Sequence, residues 1–106
     1  MSLTQVITVG VNFTTTGSNI IVVASTASQI FLVGMGLIIA GATTISFPGQ
    51  ESTFGPFIIP AAGGSITLTD VYPGQTPYAE FPVGTALVIS QTGAVQFSGF
   101  LRYSLG

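Results

Sequence analysis

Charged side chains are almost missing from this chain of 106 residues. The first fifty residues carry none, and the whole chain has three carboxylates and a single cation, Arg102. A globular protein is typically about a quarter charged. One cation cannot neutralise a row of phosphates, so the composition argues against a nucleic-acid partner.

Histidine, cysteine, lysine and tryptophan are absent as well. Without cysteine there is no disulfide, no thiol redox chemistry and no cysteine zinc site. Without histidine or lysine, a serine or threonine has no ordinary base to activate it. We therefore expect no enzyme, no catalytic residue and no cofactor.

The three carboxylates, Glu51, Asp70 and Glu80, are far apart in the sequence. A glycosidase-like pair from Glu51 and Glu80 is a minor alternative to solvated carboxylates in turns. Calcium prefers several clustered carboxylates, so a turn-closing role for Asp70 is favoured over a calcium site with Glu80. We therefore expect no metal site.

Apolar residues make up 47% of the chain, which raises the question of a membrane location. The longest apolar run, residues 30–42, is shorter than the roughly 20 residues of a spanning helix. No Lys or Arg flanks this run, and residues 1–11 lack the positive charge of a signal peptide. We expect no membrane partner, with a small holin-like pore as the minority alternative.

Turn residues recur about every 8–12 positions, which is typical of a sandwich or barrel of short strands. Pairs such as Pro48-Gly49 and Gly63-Gly64 are strong turn signals. We predict one domain, 1–106, in which residues 1–17 form either an N-terminal arm or an edge strand. The predicted strands are 4–12, 18–25, 29–40, 43–48, 53–59, 64–70, 78–82, 84–91 and 94–105.

The predicted strand at 30–39 is apolar on both faces. One face holds Phe31, Val33, Met35, Leu37 and Ile39, and the other holds Ile30, Leu32, Gly34, Gly36 and Ile38. A strand that is apolar on both faces is buried on both faces. We therefore predict that Phe31, Val33, Met35 and Leu37 contact a neighbouring subunit.

Arg102 lies on the polar face of the last predicted strand. We expect it to form an ion pair with Glu51, Asp70 or Glu80, within one subunit or between two, and we include it in the predicted subunit interface. A buried pair would cost about 3–5 kcal/mol when one partner is removed. A solvated pair would contribute under about 1 kcal/mol. The sequence leaves both alternatives open.

The order of short motifs resembles a family of small tailed-phage virion proteins. The similarity extends over about residues 18–104, and its order and spacing matter more than any one motif. The segments that carry it are 28–33 (SQIFLV), 42–47 (ATTISF), 54–64 (FGPFIIPAAGG), 78–81 (YAEF), 83–90 (VGTALVIS) and 94–103 (AVQFSGFLRY). The family often has Lys or Arg where this chain has Ser28 and Gln29, and Asn where it has Ala62. These departures argue against a charged contact with a receptor or capsid.

The resemblance implies an all-β fold, an antiparallel β-sandwich of jelly-roll type with about 8–9 short strands. It also implies a homotrimer on the virion, at the capsid surface or the tail. The function expected from it is a capsid decoration or cement protein whose partners are its own copies and the major capsid protein. The alternative is a tail-fibre or tail-tip module in which Phe54, Tyr72 and Tyr78 stack on host glycans.

Overall fold

A computed structural model describes residues 6–71 and 75–106. Within these ranges the chain forms nine β-strands and no helix. The strands are β1 (Ile7–Phe13), β2 (Gly17–Val22), β3 (Ile30–Ile39), β4 (Thr43–Ser46), β5 (Phe57–Ile59), β6 (Gly64–Leu68), β7 (Ala79–Phe81), β8 (Leu87–Gln91) and β9 (Phe97–Leu105). The all-β prediction is confirmed, and each predicted strand has an observed counterpart.

The strands form two antiparallel sheets, an arrangement compatible with the predicted β-sandwich. The first sheet has the order β1-β9-β3-β6, and β7 also pairs with β3. Strand β7 pairs with the first part of β3, and β6 pairs with the last part. The second sheet has the order β2-β8-β4-β5. One apolar core draws on both sheets, with Leu32 and Met35 from the first and Ile45 and Ile89 from the second.

The predicted strand at 53–59 is shorter in the structure, because a side chain holds the preceding residues in a loop. The Nε2 of Gln50 donates to the carbonyl oxygens of Phe47, at 3.0 Å, and Phe54, at 2.7 Å. The Phe54 N–H in turn donates to the Oε1 of Gln50 at 3.0 Å. Strand β5 therefore begins only at Phe57.

Residues 7–13 of the predicted arm or edge strand form β1, which lies at one edge of the first sheet. Residues 1–5 lie outside the described ranges, as does the predicted turn at Pro73-Gly74. The apolar run at 30–42 contributes β3. Among the described residues, no helix has the length and apolar character needed to cross a membrane.

A β-bulge in β3 changes which residues face the core. The pairing of β3 with β9 shifts between Leu32 and Gly34, so Val33 has no partner in the register. An extra residue in one strand reverses the alternation of the faces that follow it. Inward-facing residues are therefore Ile30 and Leu32 before the bulge, and Met35, Leu37 and Ile39 after it.

The bulge makes the interface prediction wrong for Met35 and Leu37. Their side chains are 0% and 1% exposed and belong to the core, so they are not available to a neighbouring subunit. Val33 is also buried, at 1% exposed, and is excluded from such a contact for the same reason. The continuous apolar face that motivated the prediction does not form.

Candidate functional site

The ion pair predicted for Arg102 forms with Asp70. The Nη1 of Arg102 donates to the Oδ2 of Asp70 at 2.5 Å, and the two side chains are 41% and 36% exposed. Exposed ion pairs contribute about 0–1 kcal/mol to stability. Of the two alternatives from the sequence, this pair is closer to the solvated one.

The ion pair lies on the outer face of the first sheet, where a glycine of β3 leaves room for it. Gly34 is opposite Arg102 in the register, and a Cβ built on Gly34 would overlap the Oδ1 of Asp70. The carboxylate therefore occupies the space that a side chain would fill. The sequence signal was the pair Gly34 and Gly36, because glycine in a strand often marks close approach.

Phe100 packs over the second of these glycines, Gly36, in the same way. A Cβ on Gly36 would lie 2.8 Å from the Phe100 ring, so the ring packs directly over the backbone of β3. The guanidinium carbon of Arg102 is 5.3 Å from the centroid of this ring, within the range of a cation–π contact. Asp70, Arg102 and Phe100 thus form a row across the outer face of the first sheet.

A groove of about 440 Å³ lies beside this row, next to Ile38, Thr67 and Phe100. The lining residues are apolar or carry hydroxyl groups, and none of them titrates near neutral pH. General acid–base catalysis needs a titratable group within hydrogen-bond reach of the substrate. The groove therefore offers shape and apolar contact without such a group.

Glu51 and Glu80, the minor candidates for a carboxylate pair, are neighbours through their backbones. The Glu51 N–H donates to the carbonyl oxygen of Glu80 at 2.7 Å, while the Oε1 of Glu51 accepts from the Nε2 of Gln29 at 3.3 Å. Asp70 is paired with Arg102 and not with Glu80. Across residues 6–71 and 75–106, no three His, Cys, Asp or Glu residues are grouped so as to hold a metal ion.

The aromatic residues proposed for glycan stacking are packed against other rings. The Phe54 ring lies 5.2 Å from Phe47, 5.1 Å from Phe57 and 5.9 Å from Tyr78, measured between centroids. The Tyr78 hydroxyl donates to the carbonyl oxygen of Thr69 at 2.6 Å. Both Phe54 and Tyr78 are half-buried against the core, and Tyr72 lies outside the described residues.

Two members of the predicted interface remain accessible. Phe31 is half-buried, with its ring beside Gly106, and Arg102 is half-exposed in its ion pair. Their contact with a neighbouring subunit stays a prediction.

The outer face of the second sheet has no charged side chain. Ile20 and Ile58 are 65% and 81% exposed on this face, and neither sequence pattern nor motif had singled them out. Ile20 is opposite Val88, and Ser18, Ser90 and Ser46 follow one another across three strands. We call this surface the uncharged face, formed by Ser18, Ile20, Thr44, Ser46, Ile58, Val88 and Ser90.

One buried polar residue, Gln91, follows a pattern that is visible in the sequence. Gln91 continues the inward alternation of Leu87 and Ile89 and is 2% exposed. Its Oε1 accepts from the Thr43 hydroxyl at 3.2 Å, and its Nε2 donates to the carbonyl oxygens of Thr15 and Val95, each at 3.1 Å. The network joins four segments at one end of the molecule, which indicates a structural role.

Comparison of the chain with protein-family models found no match. Comparison with curated proteins found none either. No solved structure matched the chain.

Proposed function

We propose that this chain is a non-enzymatic structural protein of a bacteriophage virion, a capsid decoration or cement protein. Its partners are its own copies, in the homotrimer that the resemblance implies, and the major capsid protein. Its place is the capsid surface, with the tail as the alternative. The resemblance of residues 18–104 gives the class of particle, and the surface chemistry supports the mode of action.

The observation that carries this proposal is the uncharged face of the second sheet. Burying a charged group without a partner costs several kcal/mol, whereas burying apolar area contributes about 25 cal/mol per Å². Ile20 and Ile58 expose apolar area there, and the serine hydroxyls can exchange water for protein partners. Such a surface suits a contact with protein and offers no group for acid–base chemistry.

The strand order supports the finer fold assignment, a jelly roll. The pairings are nested, with β4–β5 innermost, then β3–β6, then β2–β8, and β1–β9 outermost. Successive layers of this nest alternate between the two sheets. This is the order expected when one long antiparallel ribbon is rolled into two sheets, the jelly-roll architecture found in many viral capsid proteins.

The tail-fibre alternative depended on accessible aromatic rings. The packing of Phe54 and Tyr78 against other rings and the core favours the decoration protein, because rings held in this way do not offer a free face to a sugar. The number of copies on each particle separates the two functions. Hundreds of copies indicate a decoration protein, and a few to a few dozen indicate a fibre.

The test is binding of the purified chain to empty heads of the phage that encodes it. We expect saturable binding at many sites, and we expect Ile58→Lys, on the uncharged face, to weaken it at least tenfold, about 1.4 kcal/mol. Val83→Lys is the matched control, since Val83 is 52% exposed in the loop before β8. Absence of binding at saturating concentration contradicts the proposal, and so does equal loss in both variants.

A further inference from the structure

The sheet edges of this protein are protected unequally. An exposed edge strand presents unpaired N–H and C=O groups, and proteins block such edges with short strands, proline or charge. Two edge strands here are blocked in this way, and each is three residues long. Pro56 and Pro60 flank β5 directly, while Pro77 and Pro82 bracket β7, which also carries Glu80.

Strand β2, at the other edge of the second sheet, has neither proline nor charge, and its register with β8 shifts once, between Ile20 and Val22. It is six residues long (GSNIIV), it pairs only with β8, and no other strand in the described ranges lies along its outer edge. The sequence has no proline before Pro48 and no charged residue before Glu51. The backbone of β2 is therefore open to another strand over its regular part, residues 17–20, before the register shift.

Apolar exposure distinguishes β2 from the two remaining edge strands. Ile20, near the middle of β2, is 65% exposed, and Val23, just after it, is 76% exposed. The exposed positions within β1 are Thr8, Gly10 and Asn12, and Val6, just before it, is 43% exposed. Strand β6 exposes glycine, serine and threonine. Among the edge strands of the described ranges, only β2 thus carries a large, exposed apolar side chain within a strand that neither proline nor charge blocks.

We infer that β2 pairs antiparallel with the β2 strand of a second copy, joining the second sheets of two molecules into one continuous sheet. Each copy supplies the same row of backbone donors and acceptors, and cross-strand contacts between apolar side chains add about 0.2–1 kcal/mol per pair. A strand meets its own copy in this way about a two-fold axis. This contact is therefore separate from the three-fold contact of a homotrimer.

A second copy fits this edge on charge as well as on hydrogen bonding. Both partners are free of charge throughout residues 6–50, so the approach involves no like-charge repulsion and no buried charge. The ion pair, by contrast, lies on the outer face of the first sheet. The inference rests on the self-association included in the proposed function, and it adds the strand through which two copies meet.

Single-cysteine variants test this pairing, because the chain has no cysteine of its own. Directly opposed residues of antiparallel strands have Cβ atoms about 4.5–5.5 Å apart, close to disulfide range. Ser18→Cys and Ile20→Cys, alone and mixed, cover the registers in which outward residues of β2 face one another. Ile38→Cys is the matched control, since Ile38 is 66% exposed against 65% for Ile20. Ile58→Cys, at 81%, reports on the proline-flanked edge.

We expect mild oxidation at low micromolar concentration to link a β2 variant, or the mixture, at least tenfold faster than either control. Equal rates at Ile38→Cys or Ile58→Cys contradict the edge pairing. If the wild-type chain still associates in sedimentation, that result leaves self-association intact. If the wild-type chain stays monomeric and no variant forms a preferred cross-link, the edge pairing and the proposed self-association are both contradicted. Unfolding midpoints near that of the wild type verify that each variant is folded.

Discussion

At the scale of single residues, the one cation of the chain is positioned by a missing side chain. Asp70 lies in the space above Gly34, and its carboxylate holds the guanidinium of Arg102 at 2.5 Å. Phe100 packs over Gly36 on the other side of the guanidinium. The geometry is specific, although both charged side chains keep contact with water. We therefore assign this pair a positional role with a small effect on stability.

Asp70→Asn is expected to lower the free energy of unfolding by about 1 kcal/mol or less, because the pair it removes is solvated. The loss is expected to shrink in about 1 M salt, where the Debye length falls to about 3 Å. Denaturant unfolding at low and high salt measures both effects. Glu51→Gln is the control, since Glu51 has no cationic partner among the described residues. A loss of about 3–5 kcal/mol would instead indicate a buried pair.

Gly99→Ala is expected to destabilise the protein by about 2–4 kcal/mol, through backbone strain and overpacking. Gly99 has φ +140°, and a Cβ there would overlap the carbonyl oxygen of Gly36 on β3. The matched control is Gly10→Ala on β1, where a Cβ would meet nothing within 4 Å. Chemical denaturation compares the two. Equal stability of both variants would show that the close approach of β9 to β3 is not required.

At the scale of elements, the sequence predicts which segments are strands better than it predicts how they face. Alternation and turn residues placed all nine strands. The bulge at Val33 escaped prediction because it depends on the pairing of β3 with β9, which lies far away in the sequence. Gly34 signalled close approach but not the extra residue. One unpaired residue was enough to move Met35 and Leu37 from an expected interface into the core.

Leu37→Ala and Ile38→Ala test the facing of β3 after the bulge. Leu37 is 1% exposed and Ile38 is 66% exposed. We expect Leu37→Ala to cost about 2–5 kcal/mol, as large-to-small core substitutions do, and Ile38→Ala to stay within about 0.5 kcal/mol. Urea unfolding provides the comparison. If Ile38→Ala lowered the free energy of unfolding more than Leu37→Ala, the result would agree with the alternation expected from the sequence and contradict the bulge.

Gln91→Met keeps the volume of the side chain but removes the hydrogen bonds that join β4, β8 and two loops. We expect a loss of about 1–3 kcal/mol, because the carbonyl groups of Thr15 and Val95 lose this partner in a mostly buried place. Gln96→Met is the control, because Gln96 is half-exposed and water can replace its bonds. Thermal unfolding of the two variants compares them, and an unchanged Gln91→Met would show that the network adds nothing to stability.

Loop boundaries also depend on contacts that alternation does not reveal. The predicted strand at 53–59 has apolar residues at both ends, yet the Gln50 side chain binds Phe47 and Phe54 and keeps the first half in a loop. Sequence patterns describe neighbours along one chain segment. The contacts of such a side chain are set by tertiary structure and could not be predicted. The sequence did show a break in this strand at Gly55-Pro56, where Gly55 has φ +82°.

At the scale of the whole molecule, the solvent-accessible area is that of an ordinary domain, whereas the small number of charged groups on it is unusual. The chain exposes 5424 Å², close to the roughly 5,500 Å² expected for a globular protein of its mass. The fold therefore buries about as much surface as other domains of this size do. The described residues place the charged ion pair on the first sheet and leave the outer face of the second sheet uncharged.

The candidate surface was only partly predictable for this reason. The lack of charge in residues 1–50 indicated contact with other protein, and that inference needs no structure. Which residues make the contact depends on facing and on edge position. In the sequence Ile20 and Ile58 look like any other apolar residues, and they become candidates for the proposed contact only because the fold leaves them exposed.

The most direct test of the account is the mass of the purified wild-type chain in solution, measured by sedimentation equilibrium over a wide range of concentration at low and high salt. If copies associate through uncharged surfaces as proposed, we expect a mass above the 10.8 kDa of one chain that falls on dilution and does not fall when salt is added. A mass of 10.8 kDa at every concentration and salt would contradict it.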